Sequence, residues 1–128
     1  MEDFVNFELA KRLKEKGFSL EKTEIYGKFD SDGLFHPQLY FNYIETMDCN
    51  EIIAPTISQV LKWLREEKLI LIGLSPMQEY DVEETIEWCA TVYKADKQGG
   101  LSLKEELYYE SYEQSALAGI EYSLDNLI

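Results

Sequence analysis

The stretch FDSDGLFH, residues 29–36, is the first group of side chains in this sequence that could bind a metal ion or move a proton. It contains two aspartates, a glycine and the one histidine of the chain. A calcium loop with Gly33 at its sixth position would have Lys28 at its first and Leu39 at its twelfth, where carboxylates are required. We therefore interpret residues 30–33 as a turn between two strands, since aspartate and glycine both favour turns.

His36 could also bind a metal ion together with the two cysteines of the chain, Cys49 and Cys89. A zinc site needs three or four ligands at a characteristic spacing, and these three residues lack it. Two cysteines do not make a disulfide framework, so we expect reduced thiols, with Cys89 in the core of a strand. The chain has no phosphate-binding glycine motif and no nucleophile elbow. We therefore predict no catalytic residue, no metal ligand, no cofactor-binding residue and no enzymatic activity.

Apart from these candidates, acidic side chains are the most abundant ionisable groups in the chain. The chain has 25 Asp and Glu against 12 Lys and Arg, for a net charge of −13. Residues 77–128 alone carry twelve acidic and three basic residues. Such a field repels phosphate backbones, so we expect no direct nucleic-acid binding. It favours solubility, or contact with a basic protein partner.

Two features of the acidic half leave alternatives open. A carboxylate enzyme could use Glu83, Glu84 or Glu87, although a solvated acidic face explains the same residues. Further acidic residues lie in the last predicted strand, at Glu105, Glu106 and Glu110. Tyrosines are enriched both in strands and at interfaces, and three lie close together, at Tyr108, Tyr109 and Tyr112. We interpret these tyrosines as core and strand-surface residues.

The elements that position these residues follow from capping and periodicity. A first helix is predicted over residues 7–16, with Asn6 as its N-cap and Gly17 at its end. Capping-box spacing predicts a second helix after Thr56 and a third after Ser111. Strand patterns occupy residues 24–29, 34–44, 69–74, 85–95 and 101–110. The predicted order is α-β-β-α-β-β-β-α.

Three finer expectations concern the strands. The apolar run at residues 69–74 predicts a central strand that is covered on both faces and ended by Pro76. Residues 45–55 are expected to form a loop. Alternation in the last strand predicts one shared face for Leu101, Leu103, Glu105, Leu107 and Tyr109. Together these patterns predict an α+β fold with three helices and one largely antiparallel sheet of about five strands, in a single domain of residues 1–128.

Two segments carry a resemblance to a known group. APTISQVLKWLREEK, residues 54–68, and SYEQSALAGIEYSLDNLI, residues 111–128, resemble the hallmark segments of small uncharacterised proteins from phage and mobile elements of gut anaerobic bacteria. The resemblance implies a small intracellular α+β protein and carries no activity. A weaker resemblance, in element order over residues 56–127, is to double-stranded RNA-binding domains. Their basic helix start is replaced here by Ser111, Glu113 and Gln114.

These observations lead to one functional hypothesis with two alternatives. We expect a cytoplasmic, non-enzymatic acidic protein that acts through contact with an unidentified, basic protein partner. No signal peptide is recognised, and the longest apolar run is far shorter than the about 20 residues that span a bilayer. The alternatives are an unrecognised carboxylate enzyme and a structural self-associating module. The oligomeric state, including a homodimer, stays open.

Overall fold

The computed structural model describes residues 4–18, 25–40, 52–78 and 86–128 of the chain. These residues form three helices and six strands, in the order α-β-β-β-α-β-β-β-α, which confirms the α+β class. The chain divides into two compact units, residues 1–60 and 61–128, with the boundary inside the second helix. The prediction of a single domain stays a prediction. Among the described helices, none has the length and apolar character needed to cross a bilayer.

The strands form two separate antiparallel sheets. The helices are α1 (Phe7–Glu15), α2 (Ile57–Glu67) and α3 (Tyr112–Asn126). The strands are β1 (Ile25–Phe29), β2 (Phe35–Tyr40), β3 (Ile52–Ala54), β4 (Ile70–Gln78), β5 (Ile86–Ala95) and β6 (Leu101–Tyr109). The first sheet has the order β2-β1-β3 and the second has the order β4-β5-β6. The expectation of one sheet of about five strands was therefore wrong.

The extra strand lies in the segment that was expected to be a loop. β3 pairs with β1 through Gly27↔Ala54, Lys28↔Ile53 and Phe29↔Ile52. A three-residue strand is too short to show alternation, so its pairing depends on a partner about 25 residues away in the sequence. Three phenylalanine rings pack beside this sheet, with centroids 4.9 Å apart for Phe4 and Phe35 and 5.4 Å apart for Phe29 and Phe35.

All three predicted helix starts are confirmed by side-chain caps. Asn6 Oδ1 accepts from the Leu9 amide at 2.9 Å, and Ser111 Oγ accepts from the Gln114 amide at 3.1 Å. At α2 the cap is reciprocal, because Gln59 Oε1 accepts from the Thr56 amide at 2.9 Å and Thr56 Oγ1 accepts from the Gln59 amide at 3.2 Å. These bonds satisfy amides that have no partner within the helix.

The apolar strand β4 lies at an edge of the second sheet, so the prediction of a central, doubly covered strand was wrong. β4 also continues through Pro76, which pairs with Trp88. The Leu69 carbonyl accepts from the Ala95 amide, and alternation from this bonded pair gives Pro76 a non-bonded position. The missing N–H of Pro76 therefore faces the open edge, where a proline is tolerated.

A β-bulge in β6 changes which residues share a face. Tyr93 pairs with Leu103 but Val92 pairs with Glu105, so Lys104 is an extra residue in the strand. After a bulge of one residue, alternation resumes on the opposite face. Leu101 and Leu103 therefore face away from the side occupied by Glu105, Leu107 and Tyr109. The prediction that these five residues share one face was wrong.

Helix α3 packs closely on one face of the second sheet. A Cβ atom on Gly119 would lie 3.0 Å from Ile72 Cγ2 and 3.6 Å from Ala90 Cβ, so the helix backbone lies close to the sheet at this point. The buried Ser115 hydroxyl donates to the Trp88 carbonyl at 2.9 Å. The Trp88 ring packs edge-on against Tyr112, with centroids 5.2 Å apart. These contacts identify the helix-covered face of the sheet.

Candidate functional site: the outer face of the second sheet

The sequence candidate at Asp30 and His36 lies in a turn, where both carboxylate oxygens of Asp30 have hydrogen-bond partners. Asp30 Oδ1 accepts from the amides of Asp32 and Leu34 at 2.9 and 3.0 Å, and Oδ2 lies 2.9 Å from His36 Nε2. Hydrogen bonding to His36 and then to the Leu34 amide lowers the pKa of Asp30. Gly33 takes a φ of 82° in this turn. The interpretation as a turn between strands is confirmed.

The turn between β5 and β6 has the same design without a histidine. Asp96 Oδ1 accepts from the amides of Gln98 and Gly100 at 2.9 and 2.8 Å, and Gly99 takes a φ of 88°. In both turns the aspartate amide also donates to the carbonyl four residues later. Because the Asp96 turn needs no histidine, the role of Asp30 is explained by hairpin geometry.

The remaining sequence candidates are not brought together into a site. Cys89 is buried in β5 as a free thiol, as predicted, while Cys49, Glu83 and Glu84 lie outside the described residues. In the part of the chain that the structure describes, no three residues of His, Cys, Asp or Glu are grouped to hold a metal ion.

The feature that stands out is the face of the second sheet opposite α3, which we call the outer face. Strand registers align its residues in rows that cross β4, β5 and β6. The rows are Leu71–Tyr93–Leu103, then Gly73–Thr91–Glu106, then Ser75–Cys89–Tyr108. Successive rows are about 7 Å apart, since two residues separate them along each strand.

Large apolar and aromatic side chains on this face are open to solvent. The exposed fractions are 58% for Leu101, 53% for Leu103 and 50% for Tyr108. Leu101 pairs with Ala95 at the hairpin end, and the half-buried Tyr93 lies beside Leu103. A scattered exposed leucine is ordinary, but neighbouring ones on a flat sheet face are typical of a contact surface.

We call the middle row of the outer face the trough, because its residues on β4 and β5 are small. Gly73 has no side chain and Thr91 has a small one, and a Cβ on Gly73 would meet only the Thr91 carbonyl at 4.0 Å. The row toward the β5–β6 turn carries the larger Tyr93 and Leu103, while the row on the other side is large only at Tyr108, since its β4 and β5 residues are Ser75 and Cys89. Glu106 closes the β6 end of this trough.

The carboxylate of Glu106 is oriented by its neighbour. The Tyr108 hydroxyl donates a hydrogen bond to Glu106 Oε2 at 3.0 Å. This bond to Glu106, and then the charge of the carboxylate, raises the pKa of Tyr108, because both favour the protonated phenol. The outer face therefore combines open apolar surface with one negative group fixed among it. Glu87, half-buried, lies on the same face of β5.

Sequence reasoning missed this surface because it assigned Leu101 and Leu103 to the wrong face relative to Leu107. One signal was present: strict alternation placed the charged Glu105 between Leu103 and Leu107, on a face otherwise apolar. Such a conflict is typical of a bulge. The three tyrosines at the strand and helix ends, Tyr108, Tyr109 and Tyr112, are exposed surface residues rather than core.

Comparison with known proteins identifies no family for this chain. No protein-family model, no curated protein and no solved structure matches the chain.

Proposed function

We propose that this protein is a non-enzymatic interaction protein that binds a protein partner through the outer face of its second sheet. One observation carries the proposal: Leu101, Leu103 and Tyr108 are each at least half exposed on a face that α3 does not cover. Burial of such side chains on a partner contributes about 25 cal/mol per Å² of apolar area removed from water. With the resemblance of residues 54–68 and 111–128, we place this contact in the cytoplasm of a bacterium that carries a phage or mobile element.

The proposal is tested by a pull-down. The proteins that bind to the wild type are compared with those that bind to two variants. Leu101→Ser with Leu103→Ser removes the two exposed leucines of the outer face, and because both side chains are exposed, the fold should persist. The control is Leu34→Ser, which removes a leucine that is 62% exposed but lies in the first sheet's turn. We expect quantitative mass spectrometry to find partners that the wild type and the Leu34 variant retain and the double variant loses.

Retention of an identical set by all three proteins would refute the outer face as the binding surface. A second measurement addresses self-association. If sedimentation of the wild type gives a stable dimer that the double variant converts to a monomer, the structural self-associating alternative replaces the proposal. We expect a monomer, because two copies of a chain with net charge −13 repel each other.

A further inference from the structure

We propose, building on the proposed function, that the partner lays a segment with apolar side chains and one Lys or Arg across the outer face. The cation meets Glu106, and no strand is added to either edge of the sheet. The proposal commits to a basic and apolar protein segment, and three features of the second sheet support it.

The first feature is that both edges of the second sheet carry residues that oppose strand addition. On β4, Pro76 removes an N–H that would face an incoming strand. On β6, which pairs with β5 alone among the described residues, the bulge at Lys104 interrupts the edge. The bulge is followed directly by Glu105 and Glu106, so the centre of this edge also carries three charged residues in succession. Prolines, bulges and edge charges all oppose pairing with another strand. We therefore take the outer face, rather than either edge, as the binding surface of the described sheet.

The second feature is the shape of the trough in the outer face. Gly73 and Thr91 form its floor, while Leu103 and Tyr93 form an apolar ridge about 7 Å away along the strands. A segment that packs on the ridge can reach the trough with a side chain on its next turn, because residues four apart in a helix lie about 6 Å apart. The spacing of the two rows therefore matches a leucine and a cation on one helix face.

The third feature is the charge at the end of the trough. Glu106 is exposed, and the Tyr108 hydroxyl holds its carboxylate at 3.0 Å. A cation that contacts Glu106 also lies beside the Tyr108 ring, which attracts cations through its face. Residues 77–128 carry twelve acidic and three basic residues, so the surrounding field also favours a basic partner.

The test uses two synthetic helical peptides of equal length, one of leucine and lysine and one with glutamate in place of every lysine. Binding is followed by amide chemical shifts of the ¹⁵N-labelled full chain. We expect the lysine peptide to shift the amides of Gly73, Thr91 and Glu106. We expect Glu106→Gln to weaken binding about tenfold, as loss of one charge-assisted contact does. Gly73→Val, which fills the trough in an otherwise open strand position, should weaken it similarly, and Gly73→Ala is its matched control.

Several outcomes overturn the inference. These are equal binding of the glutamate peptide, shifts confined to the β4 or β6 edge, or no shift at about 1 mM peptide. The two proposals can fail separately. If both peptides bind equally and Leu101→Ser with Leu103→Ser abolishes both, the outer face remains the binding surface and only its preference for a cation is wrong. If that double variant changes neither peptide binding nor partner retention, both proposals fail.

Discussion

Gly119 provides the sharpest test of how closely α3 lies on the second sheet. Alanine is favoured over glycine in a helix interior by about 1 kcal/mol. At this position, however, the added Cβ would lie 3.0 Å from Ile72 Cγ2 and 3.3 Å from Ile72 Cδ1. Favourable carbon contacts lie at roughly 3.5–4.0 Å, and overpacking of a core costs about 1–3 kcal/mol. We therefore expect Gly119→Ala to lower the free energy of unfolding by about 1 kcal/mol.

The opposing partner atoms make this prediction specific. Ile72→Ala removes both close atoms and leaves Ala90 Cβ at an ordinary 3.6 Å. In that background Gly119→Ala should raise the free energy of unfolding by about 1 kcal/mol, which gives a coupling of about 2 kcal/mol between the two sites. Ile72→Val keeps a methyl group at the Cγ2 position, so Gly119→Ala should remain destabilising there.

The assay is urea unfolding followed by tryptophan fluorescence, because both tryptophans, Trp63 and Trp88, lie in the second unit. Gly73→Ala serves as a matched glycine control, since its Cβ meets only the Thr91 carbonyl at 4.0 Å and should stabilise slightly. This expectation is refuted if Gly119→Ala raises the free energy of unfolding of the wild type by about 1 kcal/mol, the whole helix-propensity gain, and shows no coupling to Ile72. In that case α3 does not lie this close to β4.

Three further predictions concern local geometry. Leu69 follows α2 with a φ of 57°, so Leu69→Gly should be about 1 kcal/mol more stable than Leu69→Ala in the same urea assay; equal stabilities would contradict the left-handed backbone. Ser115→Ala should cost about 1–2 kcal/mol, since the Trp88 carbonyl loses its hydroxyl donor; a neutral result in thermal unfolding would argue against that bond. The stabilisation from Asp30, whose pKa is lowered in the folded chain, is present above the ordinary value of 3.8 and lost as the pH falls through the lower folded value. Asp30→Asn should therefore reduce the loss in free energy of unfolding as the pH falls below 3.8. The same loss in the variant and the wild type would contradict this role.

The features that the sequence predicted correctly are those set within a few residues. The capping pair Thr56 and Gln59 are three residues apart, and the Asp30 turn closes over four. Their geometry depends on local backbone bonds alone, so the residue types are sufficient. Helix starts and hairpin turns could therefore be predicted from the amino-acid sequence.

The features that it missed depend on pairing between distant residues. The pairing of β3 with β1 joins residues about 25 positions apart, and three residues are too few to show a period. The apolar run in β4 is not evidence of burial on both faces, because Ile72 faces α3 while Leu71 lies on the open side. Apolar character on an open face indicates a contact surface as readily as a core, and a single sequence does not separate the two.

The bulge at Lys104 shows why the candidate surface and the fold are inseparable. Without it, the register from the hairpin would pair Lys104 with Val92 and Glu106 with Ala90, two fully buried positions on the α3 side. The position opposite Val92 tolerates a charge, since Glu105 there is exposed, but the position opposite Ala90 is half-buried and holds Leu107. A carboxylate at that half-buried position would lose part of its hydration. The bulge returns Leu107 to the helix-covered face and moves Glu106 outward, beside Leu103 and Tyr108. The same irregularity that interrupts the β6 edge therefore creates the apolar and acidic surface on which we propose that a partner binds.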